Sequence, residues 1–164
     1  MSQQSDPSIL SPLGKPTEYR STYAPELLYP IPRQLKRDEL GISAAALPFV
    51  GEDIWNAYEV SWLNPRGKPV VALASFWVPA TSPNLVESKS LKLYLNSFNQ
   101  TAFADAAAVE ATLIRDLSAA AGSPVSAKIA VLSSRPQPTL GYPQGILLDD
   151  LDIACDTYQP APQQ

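Results

Sequence analysis

Trp55-Asn56-Ala57-Tyr58-Glu59-Val60-Ser61-Trp62-Leu63, then Asn64-Pro65-Arg66-Gly67, then the apolar run from Pro69 to Val78, decide the fold. The first run is rich in aromatic and β-branched residues, which suit a pleated strand. Asn64-Pro65-Arg66-Gly67 carries proline and glycine where a type I turn prefers them, so the two runs are expected to pair as a β-hairpin. In the second run apolar residues occupy both faces: Val70, Ala72, Ala74 and Phe76 on one, Val71, Leu73 and Trp77 on the other. Such a strand belongs to a sheet covered on both sides, and one cover is expected to be another subunit or domain.

Working outward, the connection from Pro79 to Val86 leads into Ser88 to about Gln100, where Leu91, Leu95 and Phe98 recur at helical spacing and Lys89, Lys92, Asn96 and Asn99 take the opposite side. A second helix is expected from about Ala106 to Ala121, with Asp105 as N-cap, Val109, Leu113 and Leu117 as its stripe, and Gly122 and Pro124 as its stop. Val125, Ala127, Ile129 and Val131 alternate with Ser126 and Lys128 as a third strand, and Gly145 to Ile153 reads as a fourth, acid-tipped one. The order β-β-α-α-β-β predicts an α+β fold: an antiparallel sheet with both helices packed on one face. Residues 1–50, with Tyr19, Tyr23 and Tyr29 among prolines, read as an extended arm that must lie on something. Residues 51–157 form the folded module, and the Pro- and Gln-rich stretch 158–164 suits a C-terminal tail or an inter-module linker.

Composition excludes more than it selects. The chain has 164 residues, 45% of them hydrophobic, enough for one domain with a real core. A net charge of -4 and a pI near 4.7 argue against general affinity for nucleic acid or an anionic membrane. No apolar run is long enough to span a bilayer and no signal peptide is evident, so a soluble, cytoplasmic protein is expected. With Cys155 alone and no histidine there is no internal disulfide, no Cys/His zinc site and no Ser-His or Cys-His pair. Asp149, Asp150, Asp152 and Asp156 do not match a calcium loop and read as a solvated strand end, so no metal is expected. Those acids disfavour a thiolate at Cys155. Trp55, Trp62 and Trp77 lack interleaved basic residues and read as core or interface aromatics.

The chemistry gathers in Glu87-Ser88-Lys89-Ser90-Leu91-Lys92-Leu93-Tyr94. Two lysines in a first helical turn oppose the positive end of the helix dipole and call for an anion nearby. In one reading Ser88 caps the helix and Glu87 adds a negative charge beside it. In the other, the two oxygens of Glu87 accept from a pair of N–H donors on the edge of a guanine-like base, while helix amides, Ser90 and Lys89 hold a phosphate.

This stretch, continued by Leu95-Asn96-Ser97-Phe98-Asn99-Gln100-Thr101, resembles the signature of NADPH-dependent 7-cyano-7-deazaguanine reductases, the nitrile reductases of queuosine (tRNA modification) biosynthesis. The resemblance extends to Ser11-Pro12-Leu13-Gly14-Lys15, Tyr19, Pro30-Ile31-Pro32-Arg33, Ser61-Trp62-Leu63-Asn64, Ser82-Pro83-Asn84-Leu85, Asp116-Leu117-Ser118 and Asp149-Asp150-Leu151-Asp152. The whole chain looks like the N-terminal half of the two-module form. The resemblance implies the tunnelling fold (T-fold), whose unit has the β-β-α-α-β-β order, and sites formed between modules in a homo-oligomer. It implies Val86, Glu87 and Ser88 as contacts of the substrate 7-cyano-7-deazaguanine, and Ser88 and Lys89 as contacts of the cofactor NADPH.

The family adds a cysteine to the nitrile as a thioimide and uses an aspartate as proton donor. In the two-module form these lie in a Ser-Asn-Cys segment and a Pro-Asp-Trp-Gly context of the C-terminal half, and neither segment occurs here. Cys155, in Ile153-Ala154-Cys155-Asp156, does not match the nucleophile. The chain is therefore expected to carry no catalytic residue and to need the C-terminal T-fold module as partner. The alternatives are a non-catalytic deazapurine- or purine-binding module and an assembly module that pairs through its apolar sheet face. A zinc-dependent cyclohydrolase of the same superfamily is excluded by the missing ligands.

Overall fold

The computed structural model describes residues 19–133, 141 and 143–154. In chain order these form a 3-10 turn (Pro25–Leu27), β1 (Pro30–Pro32), α1 (Gln34–Glu39), β2 (Glu52–Leu63), β3 (Pro69–Pro79), β4 (Asn84–Val86), α2 (Ser88–Asn96), α3 (Ala106–Ala121) and β5 (Ser126–Val131). Cys155, the stretch from Ser11 to Lys15 and the expected tail 158–164 lie outside the described residues.

The hairpin forms as its residues dictate. Gly67 donates its amide to the Asn64 carbonyl at 2.9 Å, and the Asn64 side chain accepts from the amides of Arg66 and Lys68 at 2.9 and 3.0 Å. Gly67 sits at φ +79°, where a residue without Cβ meets no steric penalty. One extra residue bulges β2 between Ala57 and Val60, so Trp55 and Ala57 face the core before the bulge, and Val60 and Trp62 after it. β5 pairs antiparallel with the other side of β3, giving the order β2-β3-β5.

Both long helices cover one face of this sheet. Val60, Trp62, Ala72, Ala74, Phe76 and Val78 from the strands form one buried cluster with Leu91, Tyr94 and Phe98 of the α2 region and with Val109, Leu113, Leu117 and Ala121 of α3. α3 runs as expected: Asp105 accepts from the Ala108 amide at 2.8 Å, and Gly122, at φ +69°, closes the helix by donating to Ser118 O at 2.9 Å. The architecture is α+β. The opposite sheet face keeps Ile54 63% exposed and Val71 39% exposed, with Trp77 beside Ile54 in register.

Two expectations change. The fourth strand is not formed: among the described residues the segment from Gly145 to Ile153 makes turns, with Leu151 N donating to Leu148 O and Ile153 N to Leu151 O, each at 3.1 Å. Ile146, Leu147 and Leu148 are consecutive, so no strand register puts all three on the core face; all three are exposed in this chain. The arm is not uniformly extended either, since it contains the 3-10 turn, β1 and α1. It does lie on something. β1 pairs antiparallel with β4 through Pro30↔Val86, Ile31↔Leu85 and Pro32↔Asn84, and the Tyr23 ring packs edge-on against Phe98 at 5.6 Å. Arg33 binds Ser82 Oγ at 3.0 Å and forms an ion pair with Asp53.

Candidate functional site

The turn from β4 into α2 makes the site. Glu87, not Ser88, is the N-cap: its Oε1 accepts from the Lys89 amide at 2.8 Å and its Oε2 from the Ser90 amide at 2.7 Å. The Ser88 hydroxyl only approaches Glu87 Oε1, at 3.4 Å. A glutamate reaches both amides because its longer side chain folds back over the first turn, and its negative charge lies at the positive end of the helix dipole. Glu87 is 5% exposed. Oε2 retains one acceptor lone pair beyond its cap bond, and the second lone pair of Oε1 is met only by the long Ser88 contact.

The other expected residues divide around it. Val86 is buried in the β1–β4 pair, Ser88 is exposed at the helix start and Lys89 is half-buried. Ser90 does not face an incoming phosphate. It is fully buried, its amide and hydroxyl donate to Glu87, and its hydroxyl oxygen accepts from the Tyr29 amide. That part of the phosphate reading is corrected by the cap itself, which consumes the amides it needed.

Beside this turn, β2 and α2 enclose a cleft of about 380 Å³, within the range of small-molecule sites. Trp55, Phe76, Leu91 and Leu95 supply apolar walls; Ser88, Lys92 and Glu59 bring polar groups to it. Glu87 is not among its lining residues. Ser61 Oγ donates to Asn99 Oδ1 at 2.7 Å, and Asn99 Nδ2 donates to Asn96 Oδ1 at 3.1 Å, so the amides lining the far end hold one another in place. Sequence reasoning missed Glu59 and assigned Trp55 to core or interface. Trp55, Ala57, Glu59 and Ser61 alternate along β2, and Trp55 also packs against the core; what the run does not report is the cleft left between β2 and α2.

Below the cleft, Asp116, 8% exposed, ties three elements together. Its Oδ2 accepts from Tyr23 of the arm at 2.6 Å and from Tyr94 of α2 at 2.7 Å, and its Oδ1 accepts from Arg115 Nε at 2.9 Å. Burial first, and then the hydrogen bond to the carboxylate, push the Tyr23 hydroxyl up to about 12 and raise Tyr94 further. The Arg115 guanidinium is raised by its bond to Asp116. Each group in this network is paired, and together they brace the arm against α2 and α3.

Residues 19–129 match the family described as nitrile reductase, 7-cyano-7-deazaguanine-reductase N-term. The chain belongs to this family. Among its relatives, the NADPH-dependent 7-cyano-7-deazaguanine reductase of Dechloromonas aromatica (strain RCB) is 70% identical over 157 residues, 96% of this chain and 56% of that protein. Those of the same name from Azoarcus sp. (strain BH72) and Aromatoleum aromaticum (strain DSM 19018 / LMG 30748 / EbN1) are 67% and 64% identical, each over 93% of this chain and 54% of its own length. The chain thus spans about half the length of these reductases. The family match runs from the arm through the cap, the cleft and the Asp116 brace into β5. Among the described residues no helix is long and apolar enough to cross a membrane, and no group of three or more His, Cys, Asp or Glu could hold a metal ion.

Proposed function

We propose that this chain is the substrate- and NADPH-binding half of a nitrile reductase that converts 7-cyano-7-deazaguanine to 7-aminomethyl-7-deazaguanine in queuosine biosynthesis. Family membership and the names of the relatives support the reaction, and the observation that carries the residue assignment is the Glu87 cap. The carboxylate is fixed by two backbone amides, with a lone pair left on Oε2 and only the long, displaceable Ser88 contact on the second lone pair of Oε1, which suits two adjacent N–H donors of a deazaguanine edge. Val86 and Ser88 flank it on the substrate side. NADPH, when bound, supplies hydride to the nitrile carbon.

For the cofactor, the exposed Ser88 and half-buried Lys89 stand at a helix N-terminus whose first amides already serve Glu87. A nucleotide phosphate is therefore met by the Ser88 hydroxyl and the Lys89 ammonium rather than by a run of free amides. The apolar cleft walls beside Ser88 are of a size to exclude water from one planar ring. The nucleophilic cysteine and the proton-donating aspartate come from the C-terminal module, so the chain alone forms no thioimide. Calorimetric titration with 7-cyano-7-deazaguanine tests this directly. The unmodified chain is expected to bind and Glu87→Ala to bind at least about tenfold more weakly, the effect of losing hydrogen bonds to a charged acceptor. Equal affinity would remove Glu87 from the reading.

A further inference from the structure

We infer that Ser90 is a positioning residue for substrate recognition: through a hydrogen-bonded ring with Tyr29 it fixes the direction in which the Glu87 carboxylate presents its free lone pairs. The inference rests on the reading that Glu87 holds the heterocycle. Ser90 is 0% exposed. Its amide donates to Glu87 Oε2 at 2.7 Å, its hydroxyl donates to the Glu87 backbone carbonyl at 2.7 Å, and its hydroxyl oxygen accepts from the Tyr29 amide at 3.0 Å. The Glu87 amide returns a bond to the Tyr29 carbonyl at 2.9 Å.

Capping requires only the first of these bonds, which any residue supplies from its backbone. Helix propensity does not account for the hydroxyl, because alanine is the better helix former at this position. What the hydroxyl adds is a link from the cap to the arm, and the arm is held independently by Tyr23 on Asp116 and by the Ala24 amide on Ser97 Oγ at 3.1 Å. The carboxylate is therefore referenced to two elements, α2 and the arm. A ligand offering two parallel N–H donors is sensitive to that direction, since hydrogen bonds weaken steeply as their angle departs from linear.

The test compares two ligands, 7-cyano-7-deazaguanine and its analogue lacking the 2-amino group, by calorimetry on the unmodified chain, Glu87→Gln, Ser90→Ala and the stability control Asp105→Ala. All are measured at a temperature where circular dichroism shows each folded. The unmodified chain is expected to favour the 2-amino ligand by roughly tenfold or more, as a charge-assisted hydrogen bond provides. Glu87→Gln and Ser90→Ala should both bring that ratio to within about threefold of unity, and Asp105→Ala should leave it unchanged. A merely structural Ser90 weakens both ligands equally and keeps the ratio, which overturns the inference while the Glu87 reading stands. An unchanged ratio in Glu87→Gln, or no binding by the unmodified chain, overturns the reading and the inference with it.

Discussion

Replacing Glu87 by alanine removes both acceptors of the α2 N-cap at once and leaves the Lys89 and Ser90 amides without their partners. The expected cost is about 1–2 kcal/mol of unfolding free energy, read as a lower urea midpoint with unchanged slope. A variant as stable as the parent would mean that the cap bonds contribute nothing. Gly122 makes a second residue-scale prediction. Its φ of +69° disfavours any Cβ, and a Cβ built there would lie 2.7 Å from Pro83 Cγ. Gly122→Ala should therefore cost about 1–3 kcal/mol, and an unchanged melting temperature would contradict the geometry. Gly122 was legible as a helix stop because the α3 signals agree with one another: cap, stripe, glycine and following proline. The α2 start was legible only to within one residue. Serine is the commoner cap, and nothing in the local sequence reports that the glutamate before it folds back while the arm closes on the same turn.

At the scale of elements, the arm is joined to both helices through Asp116, and this joint has a pH signature. Tyr23 is raised to about 12 and Tyr94 also upward, so the folded state holds these protons after the unfolded chain, with tyrosines near 10, has begun to lose them. The joint's contribution is thus fully present below about pH 10 and is lost as pH rises through about 12. Tyr23→Phe is expected to be less stable at neutral pH and to lose less stability between about pH 9 and 12 than the parent. Parallel alkaline limbs in urea titrations would contradict this. The hairpin and α3 were legible because turn chemistry and periodicity point the same way in each. The bulge in β2 was not, since an inserted residue leaves no mark in a run of aromatic and β-branched side chains, and it is what makes Val60 and Trp62 continue the core face begun by Trp55 and Ala57. The segment from Gly145 to Ile153 failed differently. Its apolar content resembles a strand, but content without alternation does not choose a sheet face, and its residues remain exposed.

Across the whole molecule, one sheet face is covered by α2 and α3, while on the other Ile54 and Val71 are exposed among the described residues, where the apolar pattern of β3 calls for a second cover. The matched stretch covers 56% and 54% of two of the relatives, and the proposed function places the chemistry in the remainder. The family was legible in this sequence because its signature is local and contiguous. The most direct test joins this chain to the C-terminal half of the Dechloromonas aromatica reductase and measures NADPH consumption with 7-cyano-7-deazaguanine, beside the chain alone and the joined protein carrying Glu87→Ala. The account predicts turnover to the aminomethyl product for the joined protein, none for the chain alone, and a loss of at least about tenfold in kcat/KM for Glu87→Ala. Nitrile-dependent NADPH oxidation by the 164-residue chain alone, or full activity of the joined Glu87→Ala variant, would contradict it.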